Sequence, residues 1–241
     1  MNFKEFYDTY WRRGGYVPQV YAYPEYKKAY IQKIKLSNKR ILDIGCGDGS
    51  FSSLLLNNNN QIIGLDISDM AVRIAQERGI HAEYFDINDH LPFEDGLFDA
   101  VLIFDTLEHV FDPYFVLKES YRVLKENGTL YCGIPNASMI LNRIHFLFTG
   151  NFKDSSAISD KIIPELFFSD HIRFFSPKTI KTLLKQCKFS IRKTDYWFPD
   201  YFESAAHNKF SWIAKAVAAF KIEKLFPGLI SFNMFIEAHK D

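Results

Sequence analysis

The residues best suited to chemistry gather in one third of the chain, with one outlier. Asp43-Ile44-Gly45-Cys46-Gly47-Asp48-Gly49 closes the apolar run RILDIG. Glycines at that spacing let the backbone turn tightly and approach a ligand closely. The pattern is Gly-x-Gly-x-Gly, without the Gly-x-x-Gly ending of a pyrophosphate fingerprint. Asp43 stands two residues before the first glycine, where its charge would repel a pyrophosphate and suit a cation. Cys46 needs no chemistry there, because a small residue simply fits. Asp66 ends the next apolar run, QIIGLD, where a carboxylate can accept both hydroxyls of a ribose. Asp86, in YFDI, is expected at the end of a third strand, placed to accept from an exocyclic amine. Ile67 and Ile87 would sandwich a flat base. Together these residues imply an adenosine with no phosphate and with a positive centre. Further on, Asp105-x-x-Glu108-His109 follows a fourth apolar run, and His171 opens HIRFFSP sixty residues later. Imidazoles suit proton transfer near neutral pH, and two carboxylates with two imidazoles could instead hold a divalent cation.

The elements that must position these groups follow from periodicity. RILDIG, QIIGLD, HAEYFD, FDAVLIFD and TLYCGIP read as strands. Helical patterns separate them at Ser50–Leu56, Asp69–Arg78 and Tyr114–Leu124, the first stopped by the Asn57–Asn60 run. Such alternation implies right-handed crossovers and a parallel sheet. Beyond Pro135 the alternation stops. A short apolar helix (Met139–Phe148) and a polar loop fill residues 137–170, and Ser176-Pro177 starts a helix reaching about Gln186. FSIRKTDYWF is a strand, residues 199–228 form a second insertion with a helix at Phe210–Phe220, and LISFNMFIEAHK closes as a strand. Insertions of this length in a compact domain are usually binding elements.

This succession of motifs resembles the class I S-adenosylmethionine-dependent methyltransferases. ILDIGCGDGS, IIGLDIS, AEYFDI, FDAVLIFDTLEHV and LKENGTLYCGIPN match the family's five motifs in order. The resemblance covers residues 38–135 well and 171–241 loosely. It implies an α/β fold, a doubly wound, mostly parallel seven-stranded sheet with the last strand antiparallel, carrying helical cap insertions. It implies one methyltransferase domain over 1–241, with an N-terminal helical lid (1–37), a cofactor core (38–136) and substrate caps at 137–170 and 199–228. Gly45, Gly47 and Gly49 would line the methionine end of S-adenosyl-L-methionine, Asp66 its ribose, and the Phe104 backbone its amine. Tyr7, Trp11, Arg12 and Arg13 would lie over the cleft, and Asn136 would face the acceptor. His171 and His109 are the catalytic candidates. Asp105, Glu108, His109 and His171 also resemble the metal-binding quartet of the small-RNA 3′-end 2′-O-methyltransferases, with Asp where that family has Glu. A bare His171 base is the first reading and a divalent cation the second. The expected reaction is O-methylation, in preference to N-methylation, of a small polar, anionic acceptor such as a sugar or surface-polysaccharide precursor. The alternatives are an RNA 3′ end or a quinone as acceptor, or a non-catalytic S-adenosylmethionine-binding protein.

Composition narrows the field. Lys+Arg and Asp+Glu both total 29 in 241 residues, so the net charge is zero, which argues against a nucleic-acid partner. The charge is uneven: residues 1–40 carry +6, 41–110 carry −11 and 111–241 carry +5. An acidic cofactor half suits a sulfonium, and a basic rim suits an anionic small-molecule acceptor. Three cysteines form no closed disulfide framework. No signal peptide opens the chain and no run of apolar residues is long enough to span a membrane, so a cytoplasmic location is expected. Aromatic residues make up 17% of the chain, at least half of them outside the five motifs.

Overall fold

The computed structural model describes residues 3–12, 25–150, 171–197 and 225–241. Five parallel strands follow the apolar runs: β1 (Arg40–Ile44), β2 (Gln61–Asp66), β3 (His81–Tyr84), β4 (Phe98–Phe104) and β5 (Leu124–Pro135). β6 (Phe189–Trp197) and β7 (Asn233–Lys240) complete a seven-stranded sheet of order β3-β2-β1-β4-β5-β7-β6. β7 lies antiparallel to both of its neighbours. β1 and β4 are buried on both faces, which is why they read as continuous apolar runs.

Side chains alternate across these strands into two cores. Leu42, Ile44, Val101 and Ile103 pack with α4 (Pro113–Val123) and α6 (Pro177–Gln186). Ile41, Leu102 and Phe104 pack on the other face with α2 (Glu25–Ile31) and α3 (Asp69–Glu77). There Tyr30 stacks on Phe235 with ring centroids 4.1 Å apart, fastening α2 to the sheet. Some of the aromatic surplus is therefore spent on packing the N-terminal segment rather than on a pocket. The first helix, α1 (Phe3–Tyr10), precedes it.

Local signals set the helix starts. The Ser68 hydroxyl accepts from Ala71 N to cap α3, and Asp112 caps α4 just before Pro113. Ser176 and Thr179 form a reciprocal capping box on α6, with Pro177 in its first turn. α5 (Ile140–Thr149) stands where the apolar helix is expected and ends on Gly150 at φ 68°.

Four expectations need correction. The segment after the glycine loop is a 3-10 helix, Ser52–Asn58, not an α-helix, and it ends on Asn59 at φ 57°. β3 stops at Tyr84, so Asp86 lies two residues beyond the strand. β5 begins at Leu124 and absorbs the expected Lys-Glu-Asn-Gly turn, with Asn127 at φ 61° marking the irregularity. Residues Pro227–Ile230 form a short helix, α7, and the closing strand starts only at Asn233. The helix expected at Phe210–Phe220, the loop at 151–170 and the Gly14-Gly15 turn lie outside the described residues.

Candidate functional site

Register decides which residues meet. Ile44 pairs with Leu65 and Phe104 with Gly133, so Gly45, Asp66 and Asp105 leave the sheet side by side at its carboxyl edge. Open α/β sheets bind their ligands at this edge.

The glycine loop requires its glycines. Gly45, Gly47 and Gly49 have φ of 72°, 53° and 71°, the left-handed region that side chains disfavour. A Cβ on Gly45 would sit 2.4 Å from Thr106 Oγ1. That hydroxyl lies 3.0 Å from Phe104 O and 3.3 Å from Ile44 O, joining the ends of β4 and β1. Buried Asp48 accepts from Ser50 N at 3.0 Å and pairs with Arg78 at 2.9 Å, tying the loop to the far end of α3. Cys46 is buried, burial pushes its thiol well up, and a Cβ on Gly64 would lie 2.8 Å from its sulfur. It is a packing residue of the loop.

Asp66 holds this loop to the start of α3. Its carboxylate accepts from Gly47 N and Ser68 N, both at 2.9 Å. Burial pushes it up to about 6, against the backbone donors of Ser68, Gly47 and Ile67. Asp43, deeper, is pushed up to about 7 by burial, opposed by the Ser52 hydroxyl and reinforced by the Asp66 charge. Each Asp66 oxygen that takes one N–H keeps lone-pair capacity for a hydroxyl. The loop, Asp66 and Asp43 fit a phosphate-free, cationic nucleoside. Ile67 occupies the turn into α3, and Ile87 packs half-buried on the core. Asp86 does not end a strand: its Oδ1 accepts from Asn88 N at 3.0 Å and Asn88 Nδ2 at 2.8 Å, an Asx turn that shapes the loop after β3.

At the far end of the edge the structure brings Glu108, His109 and His171 together, with ligand atoms within 4.8 Å of one another. Glu108 is buried, and its carbonyl accepts from Ile172 N at 2.9 Å and Arg173 N at 3.0 Å. This backbone clasp returns the chain to the rim and seats His171. The His109 and His171 rings lie 4.8 Å apart, edge to face. Glu108 Oε1 stands 3.9 Å from His109 Nε2. Asp105 is not part of this cluster. It pairs with Lys27 of α2 and takes φ 49°, so the expected quartet is a trio among the described residues.

α1 spans both ends of the cleft. Tyr7 packs edge-on to His109 at 6.2 Å, while buried Asp8 accepts from the Ser68 hydroxyl at 2.7 Å. Burial works to raise Asp8, but Lys4, Ser68 and Met70 N prevail and hold it below its ordinary value. Asp8, Lys27 and Thr106 were not legible as site residues, because each acts across sixty or more positions of sequence or through backbone oxygens. Arg12 is exposed, and Arg13 lies outside the described residues. Asn136 is structural: its amide donates to Gly228 O and Ser231 O, both at 2.9 Å, and its Oδ1 accepts from Ser138.

Residues 42–132 match a family described as a methyltransferase domain, and they run from β1 to β5 of the sheet. The matched residues thus carry a methyltransferase-domain signature over somewhat more than a third of the chain. A ubiquinone biosynthesis O-methyltransferase from Pseudomonas entomophila (strain L48) is 31% identical over 111 residues, which are 44% of this chain and 48% of that one. Its namesake from Xylella fastidiosa (strain 9a5c) is 29% identical over 144 residues, 57% and 58% of the two chains. The chain thus spans about half the length of the curated relatives it matches. In fold it is similar to an S-adenosylmethionine-dependent methyltransferase from Thermotoga maritima (TM-score 0.64, 22% identity, 99% and 98% of the chains covered). It is also similar to phosphoethanolamine N-methyltransferase 2 of Haemonchus contortus, solved with S-adenosyl-L-methionine (TM-score 0.67, 17% identity, 100% and 60% covered). Among the described residues, no helix is long and apolar enough to cross a membrane.

Proposed function

We propose that the chain transfers the methyl group of S-adenosylmethionine to a hydroxyl of a small polar acceptor, with His171 as the base. The observation that carries this reading is the trio of Glu108, His109 and His171 at the same sheet edge as the glycine loop and Asp66. S-adenosylmethionine bound there supplies a methyl group on a positively charged sulfur. Asp66 would accept the ribose hydroxyls, and Asp43 and Asp66 would favour the positive charge. Such a reaction needs chiefly alignment, worth about 7–11 kcal/mol. His171 would take the acceptor's proton, and buried Glu108 beside the imidazoles would stabilise the charge that develops. His109, held edge-on between Tyr7 and His171, would orient the base. α1 would keep water from the cleft. Asp105 is committed to Lys27, which favours the bare base over a four-ligand metal site.

A second reading, O-methylation of a phenolic ring hydroxyl, is favoured by relatives named as ubiquinone biosynthesis O-methyltransferases. Release of S-adenosylhomocysteine with catechols, sugars and sugar acids separates the two. His171→Ala should lower turnover on the true acceptor by about 10²–10⁴-fold while cofactor affinity holds. Unchanged turnover would remove His171 as base. Cofactor binding with no transfer to any acceptor class would instead favour a binding protein.

A further inference from the structure

α5 is unlike every other described helix of eight or more residues. None of its residues is buried, although six of its ten are apolar. Leu141, Ile144, Leu147 and Phe148 all face solvent, with Leu147 76% and Phe148 81% exposed. At helical spacing these four fall within one stripe about 120° wide. Arg143 borders the stripe on one side and His145 on the other. Beside it packs the short helix α7, preceded by Leu225 and Phe226, which are also exposed. Asn136 locks the two together by donating to Gly228 O and Ser231 O. The result is a fixed apolar face rather than scattered surface residues, and faces of that kind mark interaction sites.

We propose that α5, with Leu225 and Phe226, docks the protein on an anionic lipid bilayer. Charge chooses this occupant. No carboxylate side chain occurs in residues 136–150 or 225–232, whereas Arg143 stands exposed at the stripe's edge. An apolar stripe with an arginine at its edge and no carboxylate near it fits a helix lying in the headgroup region, with both burial and charge contributing. The same pattern opposes an antiparallel two-fold pairing with a second copy, which would put both Arg143 edges on one side of the pair. Position adds a reason. α5 follows directly from the carboxyl end of β5, so a docked bilayer lies beside the rim that carries Glu108, His109 and His171. An amphiphilic acceptor could then enter without crossing water. Docking itself does not depend on the transfer reading, and it is tested without turnover.

The test is flotation of the full chain with vesicles of phosphatidylcholine alone and of phosphatidylcholine mixed with phosphatidylglycerol. The intact protein should float with the mixed vesicles and much less with phosphatidylcholine. The double variant Leu147→Ser, Phe148→Ser should lose about tenfold or more in partitioning. Arg143→Glu should abolish the preference for anionic lipid. Melting temperature and S-adenosylhomocysteine affinity, measured on both variants, should stay close to the parent values, since all three side chains are exposed. Failure of the parent to float with either vesicle overturns the proposal. So does undiminished flotation of the double variant. A dimer in sedimentation that the double variant abolishes, with no vesicle binding, assigns the face to a second copy instead.

Discussion

Removing the Asp66 carboxylate should collapse cofactor affinity. The side chain makes two bonds at 2.9 Å, one to Gly47 N in the glycine loop and one to Ser68 N at the start of α3. Both involve a charged acceptor, and such bonds contribute about 1.5–3 kcal/mol each. In Asp66→Ala the loop loses its tie to α3, and a bound ribose loses its acceptor. Taking two ribose hydroxyl bonds at the low end of that range, the loss is about 3 kcal/mol, or roughly 100-fold in Kd. The free protein should suffer less. Burial already opposes the Asp66 charge, so deleting it relieves a penalty while breaking two bonds. Asp66→Asn should fall between, because one amide oxygen can still accept but its NH₂ confronts an N–H. Calorimetric titration with S-adenosylhomocysteine measures the affinity, and a thermal melt reports the fold. An alanine variant within about threefold of the parent, folded normally, would refute the reasoning.

Four more outcomes are expected. Because Asp66 sits near 6 and a cationic nucleoside favours its ionised form, Kd should rise as pH falls below about 6, by up to about tenfold per unit. Stability of the free protein should run the other way: the raised carboxyls of Asp66 and Asp43 contribute fully below about 4, and this is lost as pH rises through about 6 and 7. Melts and titrations across pH 4–8 check both signs. Gly45→Ala should cost about 1–3 kcal/mol from positive φ, with more from the 2.4 Å approach to Thr106, and appear as a lowered melting temperature and weakened cofactor binding. Transfer activity should survive EDTA; loss on chelation with recovery on adding Mg²⁺, Mn²⁺ or Co²⁺ would replace the bare base by a metal-assisted one.

The sequence carried most of the sheet because β1 and β4, and the second half of β5, are buried on both faces and so appear as apolar runs. It also carried Gly45–Gly49 and Asp66, since a turn needing positive φ leaves glycines in the sequence. Periodicity could not separate a 3-10 helix from an α-helix over Ser52–Asn58, where seven residues leave little pattern. Asp86 misled for a similar reason: a strand ending and an Asx turn both place Asp after an apolar residue. The gathering of His171 with Glu108 was expected, but the Glu108 carbonyl that secures it was invisible, because backbone acceptors have no residue identity. Asp105 was lost from the quartet to Lys27, a partner 78 positions away that no local pattern marks.

The most direct test of the account is a competition titration of the protein with S-adenosylmethionine, S-adenosylhomocysteine and NAD. The acidic, phosphate-free cradle predicts one-to-one binding of both sulfur nucleosides, each displacing the other, and no displacement by NAD. Failure to bind either sulfur nucleoside, or displacement by NAD at comparable concentration, would contradict it.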